Sequence, residues 1–487
     1  MSIHWPIYKS LLRSPLRTIV TDERRSYRGI DIVAGSLYVA QEIAKVCQSR
    51  TVGVMVPTSG AFPIAALAAW ALGKVVVPLN YLLKQEELQY VIDDCGCDTI
   101  VTVGPMLDHL GFVPRAKNLL RLDEMNFGGF PEPRWPVRAE ADDLGVLLYT
   151  SGTSGHPKGV MLSHGNIRSN IEQILSWVEF GPKDTMLGVL PQFHSFGMTV
   201  LTLLPLGAGV KVVFAARFIP ARIIKMLREH RPTVLVAIPS MYGALLHAKD
   251  AKPEDFASLR YVVSGGEPLP RGVFEKFKER FGITINEGYG LTETSPVTNW
   301  CRPDEWKPHS VGKPITGVVE RIIDVNTGHD LGPNQDGEVW IGGPNVMQGY
   351  YKLPAETERA LTPDRFLRTG DMGRLDDDGH LFITGRIKEM LIIGGENVFP
   401  REIEEVLNQH PSVKDSGVVG KPDDLRGELP VAFVEMKEGE TFDARALATW
   451  CRGKLAGYKI PDEIRLLDAL PRNATGKVMR RELKKMV

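Results

Sequence analysis

Along the first three-quarters of the chain, short β-branched, apolar runs alternate with longer stretches of helical period. Residues 51–56, 74–79, 98–103, 211–214, 233–238 and 261–263 are runs of this kind, as expected of strands covered on both faces in parallel sheets. Between them, Leu37, Ala40, Ile43, Ala44 and Cys47 fall on one helical face, and residues 223–230 stop short of Pro232, where a helix must end. Residues 61–72 are apolar throughout until Gly73-Lys74. That stretch falls short of the roughly 20 residues needed to cross a bilayer, so it predicts a buried helix. The alternation predicts an α/β chain.

Two changes of pattern interrupt it. Residues 126–136 (Asn-Phe-Gly-Gly-Phe-Pro-Glu-Pro-Arg-Trp-Pro) are rich in Gly and Pro and predict a long surface loop. From about 310 to 384 the runs shorten, and Asp336-Gly337 and Asp378-Gly379 predict tight turns in a small β-rich unit. Asp376-Asp377-Asp378 lacks the spacing of an EF-hand loop, and a hairpin turn explains it better. After Arg386 the helical period returns: Ile403, Val406, Leu407 and His410 follow Pro400, then come a strand-like run at 432–436 and a helical one at 444–455. The expected division is a large unit, residues 1–386, and a smaller one, residues 387–487.

Length supports that division, because 487 residues exceed what one core usually serves. Lys plus Arg at 58 against Asp plus Glu at 59 gives a net charge of -1. No nucleic-acid partner is expected without a global basic excess. The five cysteines, Cys47, Cys95, Cys97, Cys301 and Cys451, are too few and too scattered for a disulfide scaffold. Cys95 and Cys97 lack a second Cys/His pair nearby and are expected to be buried thiols rather than metal ligands. The first ten residues lack the basic start and apolar core of a secretory signal, and the closing Lys-Lys-Met-Val matches neither a peroxisomal nor an endoplasmic-reticulum address. A cytoplasmic protein without a transmembrane segment is expected.

The strongest chemical signal is Leu147-Leu148-Tyr149-Thr150-Ser151-Gly152-Thr153-Ser154-Gly155-His156-Pro157-Lys158-Gly159-Val160. An apolar strand runs directly into hydroxyls, glycines and one lysine. Glycines let backbone amides approach phosphate oxygens, the hydroxyls of Thr150, Ser151, Thr153 and Ser154 donate further bonds, and Lys158 adds a mobile positive charge. A flexible Ser/Gly linker would have no reason to follow an apolar strand and finish in Pro-Lys-Gly. A Walker A loop is ruled out because Lys158 is followed by Gly159 rather than Ser or Thr.

At this loop the chain resembles the adenylate-forming superfamily of acyl-CoA synthetases, peptide-synthetase adenylation domains and luciferases. Further along, Pro191-Gln192-Phe193-His194-Ser195-Phe196-Gly197, Gly288-Tyr289-Gly290-Leu291-Thr292-Glu293-Thr294, Arg368-Thr369-Gly370-Asp371, Gly385-Arg386-Ile387-Lys388, Gly394-Gly395-Glu396-Asn397 and Pro471-Arg472-Asn473-Ala474-Thr475-Gly476-Lys477 match its remaining motifs in order. The resemblance implies a large N-terminal domain of packed α/β sheets with a small β-barrel-like subdomain, and a small mobile α+β C-terminal domain. It also implies ATP, Mg²⁺ and coenzyme A as cofactors. Thr150, Ser151, Gly152, Thr153, Ser154, Gly155 and Lys158 would then cradle phosphates. Gly266, Glu267 and Pro268 would meet adenine, although Gly265-Gly266-Glu267-Pro268 reads equally well as a strand-to-helix turn. Gly288 and Gly290 give close backbone approach, Tyr289 stacks on adenine, Thr292 reaches the α-phosphate and Glu293 holds the metal. Asp371 would accept the ribose hydroxyls, supported by Arg386.

By the same resemblance Lys477 is the catalytic lysine, reaching across to the substrate carboxylate and α-phosphate. On residue pattern alone it sits on the exposed face of a basic terminal helix. Lys388 is the hinge, and Gly394 and Gly395 line the channel for the pantetheine arm. Some relatives carry lysine where this chain has Ile392. Peptide-synthetase domains place an aspartate at the position of His194, so an amino-acid substrate is disfavoured. His194 is expected to line the acyl pocket and move between carboxylate and thiol access, with a satisfied structural histidine as the alternative. Phe193, Phe196, Met198 and Val200 suit a hydrocarbon tail. The expectation is a ligase joining a medium- or long-chain fatty acid to coenzyme A, with a synthetase that loads acyl carrier protein, or a CoA ligase for an aryl or other acid, as the alternatives. A nucleotide-binding regulator without turnover is disfavoured by the presence of Glu293, Asp371, Lys388 and Lys477.

Overall fold

The computed structural model describes residues 2–150, 156–472 and 478–487. Two large sheets carry the first three-quarters of the chain. The first runs in the order Gly349–Tyr350, Lys158–Ser163, Leu144–Thr150, Val75–Pro78, Thr51–Met55, Thr99–Thr102, Asn118–Arg121. The second runs Lys313–Pro314, Val297–Trp300, Asn286–Gly290, Tyr261–Ser264, Val234–Ala237, Thr185–Gly188, Lys211–Phe214, Thr18–Thr21, Ser26–Arg28. All six strands expected from apolar runs form within a residue or two of the expected bounds.

The interiors of both sheets are parallel, as continuous β-branched runs require. Antiparallel pairs close one edge of the first sheet and both edges of the second, while Asn118–Arg121 at the first sheet's other edge stays parallel. Leu144–Thr150 pairs with Lys158–Ser163, which pairs with Gly349–Tyr350, and Asn286–Gly290 pairs with Val297–Trp300. Helix Ala61–Ala71 is buried on nearly every side and packs against Gly29–Val46, which explains its lack of a polar face.

Residues 319–386 form a four-stranded antiparallel sheet, Val319–Ile323, Gly337–Gly342, Leu367–Leu375, Leu381–Arg386. Asp378-Gly379 makes the last hairpin turn, with Gly379 at φ 78. Asp336-Gly337 does not turn: Gly337 opens a strand, and left-handed Asn334 makes the bend three residues earlier. Lys307 bridges Asp376 and Asp378, so a side chain offsets part of the charge of this acidic turn.

The last hundred residues build a five-stranded sheet from Glu396–Val398, Leu391–Ile393, Gly427–Met436 and Val413–Asp423, with Glu463–Leu466 parallel to Gly427–Met436. Ile403 and Leu407 of helix Pro400–Asn408 are buried in a cluster of its own. His410 falls beyond the helix end because Pro411 disfavours helical backbone before it, and its ring packs edge-on against Trp450. Cys95, Cys97, Cys301 and Cys451 are buried free thiols. Among the described residues no helix is long and apolar enough to cross a membrane.

Candidate active site

The carboxyl ends of parallel strands are where an α/β sheet presents loops to a ligand. Strand Tyr261–Ser264 delivers Gly265, Gly266 and Glu267, and its neighbour Asn286–Gly290 delivers Gly288 through Thr292, to one cavity of about 420 Å³ that His194 also lines. Gly290 must be glycine: a Cβ there would lie 2.0 Å from the carbonyl oxygen of Pro296. From this end the cavity follows the strands toward their starts, past Val263 and Val236, to Met186, Val234, Tyr261, Phe180 and Trp300. Residues two apart on a strand share a face, which is why Val234 with Val236, and Tyr261 with Val263, line the same wall. Tyr261 and Trp300 meet edge-on with centroids 5.3 Å apart.

His194 stands where the cavity meets the glycine motifs. Its Nε2 is buried without a hydrogen-bond partner among the described residues, and burial lowers its pKa to about 4, so the ring is neutral near pH 7. That arrangement does not fit a satisfied structural histidine. Of the apolar neighbours expected around it, Phe196 and Val200 line the cavity. Phe193 turns away to stack edge-on against Tyr81, 4.7 Å between centroids, and Met198 is fully buried in the core.

Asp371 is the second fixed point. Its Oδ2 accepts the Tyr289 hydroxyl at 2.6 Å, its Oδ1 accepts Arg386 Nε at 2.7 Å, and it is only 2% exposed. Burial first and the adjacent Asp371 second push the Tyr289 phenol up, whereas the carboxylates and Tyr289 raise Arg386 against its own burial cost. Tyr289 thus serves as a ligand of Asp371 as well as a wall of the cavity. A buried carboxylate with lone pairs to spare, beside a glycine-lined slot, fits a ribose and purine.

The third group joins two expected phosphate and metal residues through an unexpected one. Tyr350 donates to Glu293 Oε1 at 2.8 Å, and Lys158 Nζ lies 5.5 Å from the centre of the Tyr350 ring while pairing with Glu356 at 2.7 Å. Burial, then Glu293, raises the Tyr350 phenol. Edge strand Gly349–Tyr350 supplies this residue by pairing Tyr350 with Val160. Glu293, an oxygen ligand beside a lysine, fits Mg²⁺ on a polyphosphate. Thr292 Oγ1 lies 3.4 Å from Ser195 Oγ, and Thr150 pairs with Lys158 on the neighbouring strand. Ser151, Gly152, Thr153, Ser154 and Gly155 lie outside the described residues, as does Lys477.

Lys388 lies in the single turn Ile387–Glu389 that leaves the last strand of the four-stranded sheet. Glu389 Oε2 accepts Arg480 Nη1 at 2.9 Å, and Arg480 also holds Glu404 with Nη2 at 2.6 Å and Nε at 3.2 Å. Arg480, in the same basic stretch as Lys477, is mostly buried. Gly394 and Gly395 form a left-handed turn, φ 60 and 88, with nothing within 4 Å of where their side chains would begin, and they do not line the cavity.

Residues 13–351 match the AMP-binding enzyme family and residues 402–477 the AMP-binding enzyme C-terminal domain. The chain is 32% identical to a long-chain-fatty-acid–CoA ligase of Bacillus subtilis, over 97% of this chain and 92% of that one. It is 30% identical to a feruloyl-CoA synthase of Amycolatopsis, over 99% and 98%. ATP-bound MatB from Rhodopseudomonas palustris superposes with a TM-score of 0.90 at 30% identity, covering 100% of this chain and 99% of that one. The chain therefore belongs to the AMP-binding enzyme family, within the acyl-CoA synthetases of the adenylate-forming superfamily, acid–thiol ligases that work with ATP, Mg²⁺ and coenzyme A.

Proposed function

We propose that this protein activates a fatty acid, of medium rather than long chain, and transfers it to coenzyme A, releasing AMP and pyrophosphate. The observation that carries the choice of acid is the apolar cavity running from His194 to Trp300. From Val234 to Ile238 and from Tyr261 to Gly265, both along its wall, is four steps of about 3.3 Å, a depth of about 13 Å. Each methylene buried there contributes about 0.8 kcal/mol, so neighbouring chain lengths are separated only modestly.

In the first step the acid's carboxylate attacks the α-phosphorus of ATP, the bond to the bridging oxygen breaks, and pyrophosphate leaves. Lys477 meets the charge that builds on the reacting oxygens. Thr292 faces the α-phosphate, Asp371 with Arg386 holds the ribose, and Lys158 joins residues 150–155 on the outer phosphates. Glu293 would hold Mg²⁺, which when bound would neutralise phosphate charge. In the second step the thiol attacks the acyl carbonyl, loses its proton to water and displaces AMP. Neutral His194 lines the acyl path and leaves room for the thiol. Rotation at Lys388 brings Gly394 and Gly395 to the pantetheine arm between the two steps.

The test is pyrophosphate release across a panel of straight-chain, aryl and sulfonated acids, repeated with coenzyme A and with acyl carrier protein. Medium-chain fatty acids should give the highest kcat/KM, and thioester should form on coenzyme A. Turnover confined to aryl or sulfonated acids would overturn the choice of acid; thioester on the carrier protein alone would overturn the choice of thiol.

A further inference from the structure

Two ion pairs flank Lys388, one on each side. Arg386, two residues before it, is fixed to Asp371 at 2.7 Å, and Asp371 is fixed in turn by Tyr289. Glu389, the residue after it, is fixed to Arg480 at 2.9 Å, and Arg480 grips Glu404, whose Oε1 also accepts the amide of Val418 at 2.7 Å. The first anchor belongs to strands of the large unit. The second belongs to the helix and sheet of the small one. Only Ile387 and Lys388 lie between the anchors, and the Met390 amide closes the turn on the carbonyl of Ile387.

Charge-assisted bonds of this length, made by a mostly buried arginine that serves two carboxylates, hold backbone far more firmly than a solvated pair. Arg480 also follows Lys477 by three residues, and Arg472 bridges Val478 at the base of the intervening segment. The same guanidinium therefore ties the hinge turn to the foot of the segment bearing Lys477.

We propose that Glu389 and Arg480 are positioning residues, a clamp that confines the rotation between the two half-reactions to Ile387 and Lys388. The inference rests on the two-step reading above. Without the clamp, residue 389 and its neighbours would share the rotation.

Proline at 388 fixes φ there, so rotation must be taken up elsewhere. Clamped neighbours cannot take it up, and released ones can. The quantity to measure is the ratio of thioester formation to ATP–pyrophosphate exchange, which does not depend on how much of each preparation is folded. Lys388→Pro should lower the ratio, and adding Glu389→Gln should raise it again by about threefold or more, a coupling expected only of residues that act together. Arg480→Gln should relieve the proline in the same way and serves if Glu389→Gln folds poorly. Arg480→Lys, which keeps the charge, should relieve it less. A lowered ratio that neither Glu389→Gln nor Arg480→Gln changes would overturn the clamp alone. A Lys388→Pro enzyme with the parental ratio would overturn the hinge assignment and the clamp with it.

Discussion

Trp300 is 9% exposed and meets Tyr261 at the end of the cavity remote from His194, so its indole closes the space available to a substrate tail. Replacing it by leucine keeps the floor apolar while removing about half the side chain. We expect Trp300→Leu to move the preferred acid to longer chains, with kcat/KM rising about fourfold for each methylene newly admitted, which corresponds to about 0.8 kcal/mol. A preference that stays where it was, in an enzyme that still turns over, would show that the floor lies elsewhere. The position also marks what the sequence leaves hidden. Trp300 carries no motif, and only the pairing of Val297–Trp300 beside Asn286–Gly290 brings it to the far end of the cavity. Gly265 through Glu267 and Gly288 through Thr292 could be found in the sequence, but through the ordered motifs of the family they resemble, since Gly265 to Pro268 alone reads equally well as a strand-to-helix turn.

At the scale of elements, the helix His164–Trp177 carries one wall of the cavity through Ile174, with Val178 just past its end. Buried Ser163 caps it, accepting the Asn166 amide at 3.0 Å, and Asn166 answers with its side chain on the Ser163 amide at 2.9 Å. Ser163→Ala should cost about 1 kcal/mol in denaturant unfolding and leave the order of acid preference unchanged. A change in that order would mean that the cap also sets the wall. Local devices of this kind, and the parallel interiors of both sheets, are legible in sequence because they depend on a few neighbouring residues. Pairings between distant segments are not. Tyr350 reaches Glu293 and Lys158 only because a two-residue strand adds to the edge at Val160, and Glu389 finds Arg480 across 91 positions. No periodicity announces either contact.

For the molecule as a whole, buried ionisable groups predict how stability follows pH. Burial raises Glu287 to about 7 and Glu320 to about 8 from an ordinary 4.5, so between 4.5 and those values the folded chain keeps protons that the unfolded chain has released. Their contribution is full at low pH and is lost as pH rises. His4, His164 and His194, lowered by burial to about 4 from 6.5, act in the opposite sense over 4 to 6.5, where the unfolded chain binds protons that the folded chain refuses. Burial also lowers His230 and raises Glu404, so four histidines act against three acids and leave a shallow rise up to about pH 6.5, above which the raised acids dominate. Denaturation midpoints should therefore peak near pH 6.5 and decline toward 8, with Glu320→Gln removing much of the decline. A midpoint that keeps climbing through that range would contradict the assignment. Asp371, bonded to Tyr289 through one oxygen and to Arg386 through the other, adds a different kind of coupling. On the proposed reading, the acid beneath the nucleotide would also be the mooring of the linker, so whatever loads that carboxylate would be registered at the swivel through a single side chain, with no relay of intermediaries between them.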